Sequence, residues 1–94
     1  MFQEPLEPPT TRQVIRAILD DGHIEFSRHA LEEMEQDGLS ELDIINVLRG
    51  GWPSPAEYER GSWRYRISTR SIVVVVAFRS QSWAVIVTAW RERE

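Results

Sequence analysis

The stretch Ile72-Val73-Val74-Val75-Val76-Ala77-Phe78 decides the fold. All seven residues are apolar and five are β-branched, and such side chains pack well on a pleat while losing rotamer freedom in a helix. The run is too short to span a bilayer. It reads as a strand with both faces covered, which requires neighbours on either side in a sheet and a layer above. The partners lie on both sides of it in the chain. From Trp63 to Ser68 bulky residues alternate with Arg64 and Arg66, Thr69 to Ser71 form a turn, Ser80-Gln81-Ser82 form another, and Trp83 to Trp90 return with the same period of two.

This pattern predicts a three-stranded antiparallel meander, with Glu57-Tyr58-Glu59 as a possible fourth, edge strand. Three-residue turns set Ser68 opposite Ile72 and Arg79 opposite Trp83. One face then gathers Trp63, Tyr65, Ile67, Val73, Val75, Ala77, Val85, Val87 and Ala89, and is expected under the helices. The other collects Arg64, Arg66, Ser68, Val74, Val76, Phe78, Ile86, Thr88 and Trp90. The last strand, with no later strand to cover it, is expected as an exposed edge that pairs with a second copy or a partner.

The helices precede the sheet. Thr10-Thr11-Arg12-Gln13 has the form of a capping box ahead of Val14, Ile15, Ile18 and Leu19, and Gly22 ends that helix. His23 to Phe26 reads as a brief extended piece. Ser27 caps a second helix carrying Ala30, Leu31 and Met34, which stops at Gly38. Ser40 and Asp43 form a further box ahead of Leu42, Ile45 and Leu48, and Gly50-Gly51-Trp52-Pro53 closes the third helix. The expected fold is α+β, with helices packed on one face of a three- to four-stranded antiparallel sheet. One domain spans residues 1–94, comprising an irregular lead-in over 1–9, a helical half over 10–51 and the sheet over 57–91.

Ninety-four residues with no cysteine exclude disulfides, thiolate metal sites and a thiol nucleophile. The N-terminus is acidic and proline-broken where a signal peptide is basic and then apolar, so a cytoplasmic protein is expected. Net charge is −4, which argues against a general nucleic-acid coat, but the charge is unevenly placed. Residues 1–56 hold four arginines against eleven acids, whereas residues 57–94 hold seven against four, with no acid between Arg60 and Arg91. The sheet half is locally basic, and arginine grips phosphate with a planar fork.

His29 is the best general-base candidate. It stands in the first turn of the second helix, after Arg28 and the Ser27 cap, where free amides and the helix dipole favour an anion and a neutral imidazole. The alternative is that it makes only a structural hydrogen bond. Arg64 and Arg66, with an apolar floor and Trp90 at the edge, are what a phosphate- or base-binding cleft needs; the same arginines also serve as solvent cover on an open face. The two histidines and scattered acids show no metal spacing, and neither a metal nor another cofactor is expected.

The run Ile24-Glu25-Phe26-Ser27-Arg28-His29-Ala30-Leu31-Glu32-Glu33-Met34, then Gly38-Leu39-Ser40, Leu48-Arg49-Gly50-Gly51 and Val85-Ile86-Val87-Thr88-Ala89-Trp90, resembles the bacterial domain of unknown function family 4258 over about residues 12–91. That family in turn resembles the MqsR, BrnT and RelE-type toxins, small α+β proteins that cleave messenger RNA without a metal and are silenced by an antitoxin. The resemblance implies His29 in the site, with Arg64 or Arg66 on the phosphate and Thr88 and Trp90 lining the cleft; His29, Arg64 and Arg66 are the catalytic candidates, and Arg28 and Arg70 join Thr88 and Trp90 as candidates for binding single-stranded RNA. The resemblance also implies a cognate antitoxin partner, with a homodimer possible and no membrane. Family members often carry arginine before the glycine of the helical turn, where this chain has Asp37. The competing expectation is a non-catalytic binding module that uses the open face or an edge strand to hold a protein.

Overall fold

The computed structural model describes residues 2–92. Its elements run α1 (Pro8–Asp21), β1 (His23–Phe26), α2 (Arg28–Gln36), α3 (Glu41–Gly50), β2 (Trp52–Pro53), β3 (Glu57–Glu59), β4 (Ser62–Ser68), β5 (Ile72–Ser80) and β6 (Trp83–Arg91). The architecture is α+β, with three helices and a six-stranded mixed sheet. The main path is β1-β6-β5-β4-β2, and β3 pairs with β4 off that path. This corrects the expected three- to four-stranded antiparallel sheet, because the short pieces His23–Phe26 and Trp52–Pro53 both join it. β1 lies parallel to β6, with His23 beside Trp83 and Phe26 beside Ile86.

Local capping follows the side chains in two helices of three. Ser27 Oγ accepts the Ala30 amide, and Ser40 with Asp43 completes a reciprocal box. Asp43, fixed by the amide and hydroxyl of Ser40, has its carboxyl held below the ordinary value. The first helix departs from expectation: it begins at Pro8, capped by Glu7 without a side-chain bond, and Thr10 is already helical. Proline is well suited to the first helical position, where its missing N–H costs nothing. The buried Thr11 instead turns its hydroxyl back to the Glu7 carbonyl at 3.0 Å.

The N-terminal lead-in is tied down rather than loose. Tyr65, buried at the sheet centre, accepts the Leu6 amide at 3.1 Å and donates its hydroxyl to Glu4 at 2.8 Å. Burial is the chief reason its phenol is pushed up from 10.0 to about 12, with Glu4 adding to the rise and the Leu6 amide opposing it. A proton retained by the folded state and lost by the unfolded one makes stability full below pH 10 and falling as pH rises to about 12. Melting temperatures measured across that window are expected to fall, and in Tyr65→Phe the fall is expected to flatten; an unchanged slope would show that Tyr65 ionises freely when folded.

The pairing register corrects the expected faces. Thr69 N–H donates to the Ile72 carbonyl at 3.0 Å, leaving a two-residue turn of Arg70 and Ser71. Ser68 therefore stands opposite Val73, and β5 is turned over relative to the three-residue expectation. Val74, Val76 and Phe78 face the helices with Tyr65 and Ile67, whereas Val73, Val75 and Ala77 share the face of Arg64 and Arg66. Val75, expected under the helices, is on the open side. The two-sided burial of the strand holds, since Val73 to Val76 are all buried.

A β-bulge then turns part of β6. Val76 pairs with Ile86 and Val75 with Thr88, so Val87 is the extra residue. Ile86 goes to the core, while Thr88 and Trp90 remain on the arginine face. β6 is not an exposed edge as expected: β1 covers its first half, Ser27 donates its amide to Ile86 and its hydroxyl to the Val87 carbonyl, and Asp37 Oδ2 accepts the Arg91 amide at 2.7 Å. The Trp83–Ile86 part of the strand on which a dimer was expected is thus already paired with β1.

Gly22 marks a tight junction. A Cβ on it would stand 2.7 Å from both Ile18 Cα and the Ser82 carbonyl, whereas one on Gly50 meets nothing within 4 Å. Gly22→Ala is expected to cost about 1–3 kcal/mol by overpacking, and Gly50→Ala close to nothing. Comparable denaturant midpoints for the two variants would show that the α1–β1 junction relaxes freely.

Candidate functional site

Two adjoining clefts open on the arginine face. The larger, of about 430 Å³, is lined by Ser27, His29, Glu59, Arg60, Arg64, Val87 and Thr88. The smaller, of about 100 Å³, is lined by Glu57, Glu59, Arg64, Arg66, Val75, Thr88 and Trp90. Glu59, Arg64 and Thr88 belong to both, so the two form one continuous surface across β4, β5 and β6.

Each side chain is there for a local reason. Ser27 caps α2 and donates its hydroxyl to the carbonyl of the bulged Val87 at 3.0 Å, which fastens the start of the helix to the sheet and sets His29 over its open face. His29 is 64% exposed, with Nε2 3.7 Å from Glu33 Oε1 one helical turn on. Arg64 and Arg66 alternate with the buried Tyr65 and Ile67 on β4, as period two requires. Arg64 Nε donates to Ser62 Oγ at 3.3 Å. Arg66 lies over the Trp90 ring, 5.5 Å from its centroid, and Trp90 Nε1 donates to Glu92 Oε2 at 3.0 Å.

Of the residues singled out from sequence, His29, Arg64, Arg66, Thr88 and Trp90 line this surface. The bulge is what keeps the last two there despite the altered register. Arg28 and Arg70 line neither cleft; both are exposed, Arg28 at the first position of α2 and Arg70 in the β4–β5 turn.

Two carboxylates and one arginine were missed. Glu57 and Glu59 flank Tyr58 on β3, and Arg60 sits at the tip of the β3–β4 hairpin with φ 52°, beside Gly61 at 85°. Their alternation was visible in the sequence, but the direction they face follows only from the hairpin register, in which Glu57 stands opposite Arg64 and Glu59 opposite Ser62. Asp37 also gains a role. Besides receiving the Arg91 amide, it offers its carbonyl to Arg91 Nε at 3.3 Å and so closes the end of β6.

A separate cleft between α1 and the β5–β6 turn, lined by Val14, Ala17, Asp21 and Gly22 among others, holds no histidine or arginine. Among the described residues no three histidine or acidic side chains gather as ligands for a metal ion. No helix of the described residues is long and apolar enough to cross a membrane.

Residues 26–91 match the family model described as a domain of unknown function, DUF4258. The chain belongs to that family. The match begins at Phe26 rather than near residue 12, so the DUF4258 unit comprises the end of β1, α2, α3 and β2 to β6, and α1 lies outside it. Both clefts are lined entirely from within the unit. No curated protein and no solved structure matches the chain.

Proposed function

We propose that this DUF4258 domain is a metal-independent endoribonuclease of RelE-like organisation, acting as a cytoplasmic messenger-RNA toxin restrained by a cognate antitoxin. The observation that carries the reading is the convergence of an exposed imidazole, His29, with Arg64 and Thr88 in one cleft that runs on to Arg66 and Trp90. Those groups match what 2′-hydroxyl attack demands. His29 takes the 2′-hydroxyl proton, the oxygen attacks the adjacent phosphorus, and the guanidinium forks of Arg64 and Arg66 stabilise the charge that develops on the phosphorane. The bond to the 5′-oxygen breaks, the departing oxygen takes a proton from solvent water, and a 2′,3′-cyclic phosphate and a 5′-hydroxyl are left. Trp90 offers a ring on which a splayed base can stack, and Thr88 a hydroxyl for its edge.

The test is incubation of the purified protein, freed of any partner, with single-stranded RNA in EDTA, followed by analysis of the product ends. Cyclic phosphate termini are the expected result. Intact RNA after long incubation with folded protein would transfer the proposal to a second reading, a non-catalytic module that holds a protein on the same face. Glu57 and Glu59, carboxylates set among the arginines, are the observation that favours it.

A further inference from the structure

The arginine face carries its own anions. Glu57 Oε1 lies 3.7 Å from Arg66 Nε, Glu57 stands directly opposite Arg64 in the β3–β4 ladder, and Glu59 lines both clefts. The segment that bears them is slight. β3 has three residues, all exposed, and pairs with β4 alone, so little beyond the ladder itself and the edge contact of Tyr58 on Trp63, 5.1 Å between centroids, holds it in place. Few buried contacts mean low local stability. The Glu57–Arg66 pair is more than half exposed on both sides, and an ion pair in that setting is weak. It therefore occupies the guanidinium when nothing else does, and yields to a ligand bearing several negative charges.

We propose that β3 is a built-in competitor, whose Glu57 carboxylate occupies the anion position at Arg66 in the free protein, with Glu59 lining the same cleft as Arg64, and that both acids are displaced when a single-stranded polynucleotide binds. The ligand's identity rests on the endoribonuclease reading above. The contact sets a threshold: one phosphate gains little over a carboxylate already in place, whereas a strand that brings several phosphates and a base for Trp90 replaces both acids at once. A second arginine–glutamate pair supplies the control. Arg79 Nε lies 3.9 Å from Glu25 Oε1, on residues that line neither cleft, and neutralising Glu25 changes the net charge by the same unit.

The experiment is binding of a 2′-O-methyl RNA oligonucleotide, which lacks the attacking hydroxyl and is not consumed, followed by fluorescence anisotropy over a range of salt concentrations. Glu57→Gln is expected to tighten binding about two- to five-fold at low salt, and to steepen the dependence of log K on log salt by about 0.7 as one further phosphate contact forms. Glu57→Gln with Glu59→Gln is expected to tighten it further, and Glu25→Gln to leave it unchanged. Equal tightening by Glu57→Gln and Glu25→Gln would reduce the effect to net charge and overturn the inference. No tightening in Glu57→Gln, with RNA still cleaved by the unaltered protein, would overturn it while sparing the endoribonuclease reading; failure of every variant and the unaltered protein to bind or cut RNA would remove both.

Discussion

Replacing His29 by alanine is expected to slow RNA cleavage by about 10²- to 10⁴-fold, the usual contribution of a positioned general base. The fold is expected to survive, because the side chain is 64% exposed and its contact with Glu33, 3.7 Å away, lies on the surface. Alanine is also the best helix former, and the hydroxyl that caps α2 belongs to Ser27. Arg64→Lys is a companion test of the same cleft. Lysine keeps the charge but not the planar fork that spans two phosphate oxygens, so it too is expected to fail, whereas a purely electrostatic role would be largely rescued. Single-turnover rates with melting temperatures on the same samples check both variants. Cleavage by His29→Ala at the unaltered rate would remove the imidazole from the mechanism.

Val74→Asp is expected to unfold the protein, and Val75→Asp is not. Val74 is fully buried on the helix side of the sheet's central strand, opposite Ile67 on one side and Ala89 on the other. Among the described residues the core around it buries no cation, and an unpaired buried charge costs on the order of 3 kcal/mol or more. That is a large share of the 5–15 kcal/mol or so by which domains are stable. Val75, 7% exposed, points the other way, paired across the ladder with Arg66 and Thr88. A carboxylate at that position meets a guanidinium. Thermal melts of the two variants measure the difference, and similar melting temperatures would contradict the register that turns β5 over.

That register shows where sequence reading reached its end. The caps at Ser27 and Ser40 were legible because a hydroxyl and the amide three residues on meet within one turn of chain. The β-branched run from Ile72 to Val76 was equally legible as a doubly covered strand. Whether Thr69 ends β4 or belongs to the turn was not, since a polar residue serves either role, and one residue decides which face Val75 takes. The bulge at Val87 left no mark in composition. Its effect was to hold Thr88 and Trp90 on the arginine face, so those candidates reached the cleft by a route different from the one expected.

Residue type and short-range spacing were enough for the α+β class, for two of the three helix starts, for the basic sheet and for His29 as the candidate base. These depend on hydrogen bonds and periodicities that close within a few residues. Pairings between distant segments were settled only in three dimensions. β1 joins β6 across some sixty residues of chain, Asp37 closes the far end of the same strand, and β3 brings Glu57 to Arg66 and Glu59 into the cleft that Arg64 lines. A strand's unpaired amides accept any suitable neighbour, and which neighbour arrives depends on how the helices stack on the sheet, a property that no local run of residues encodes.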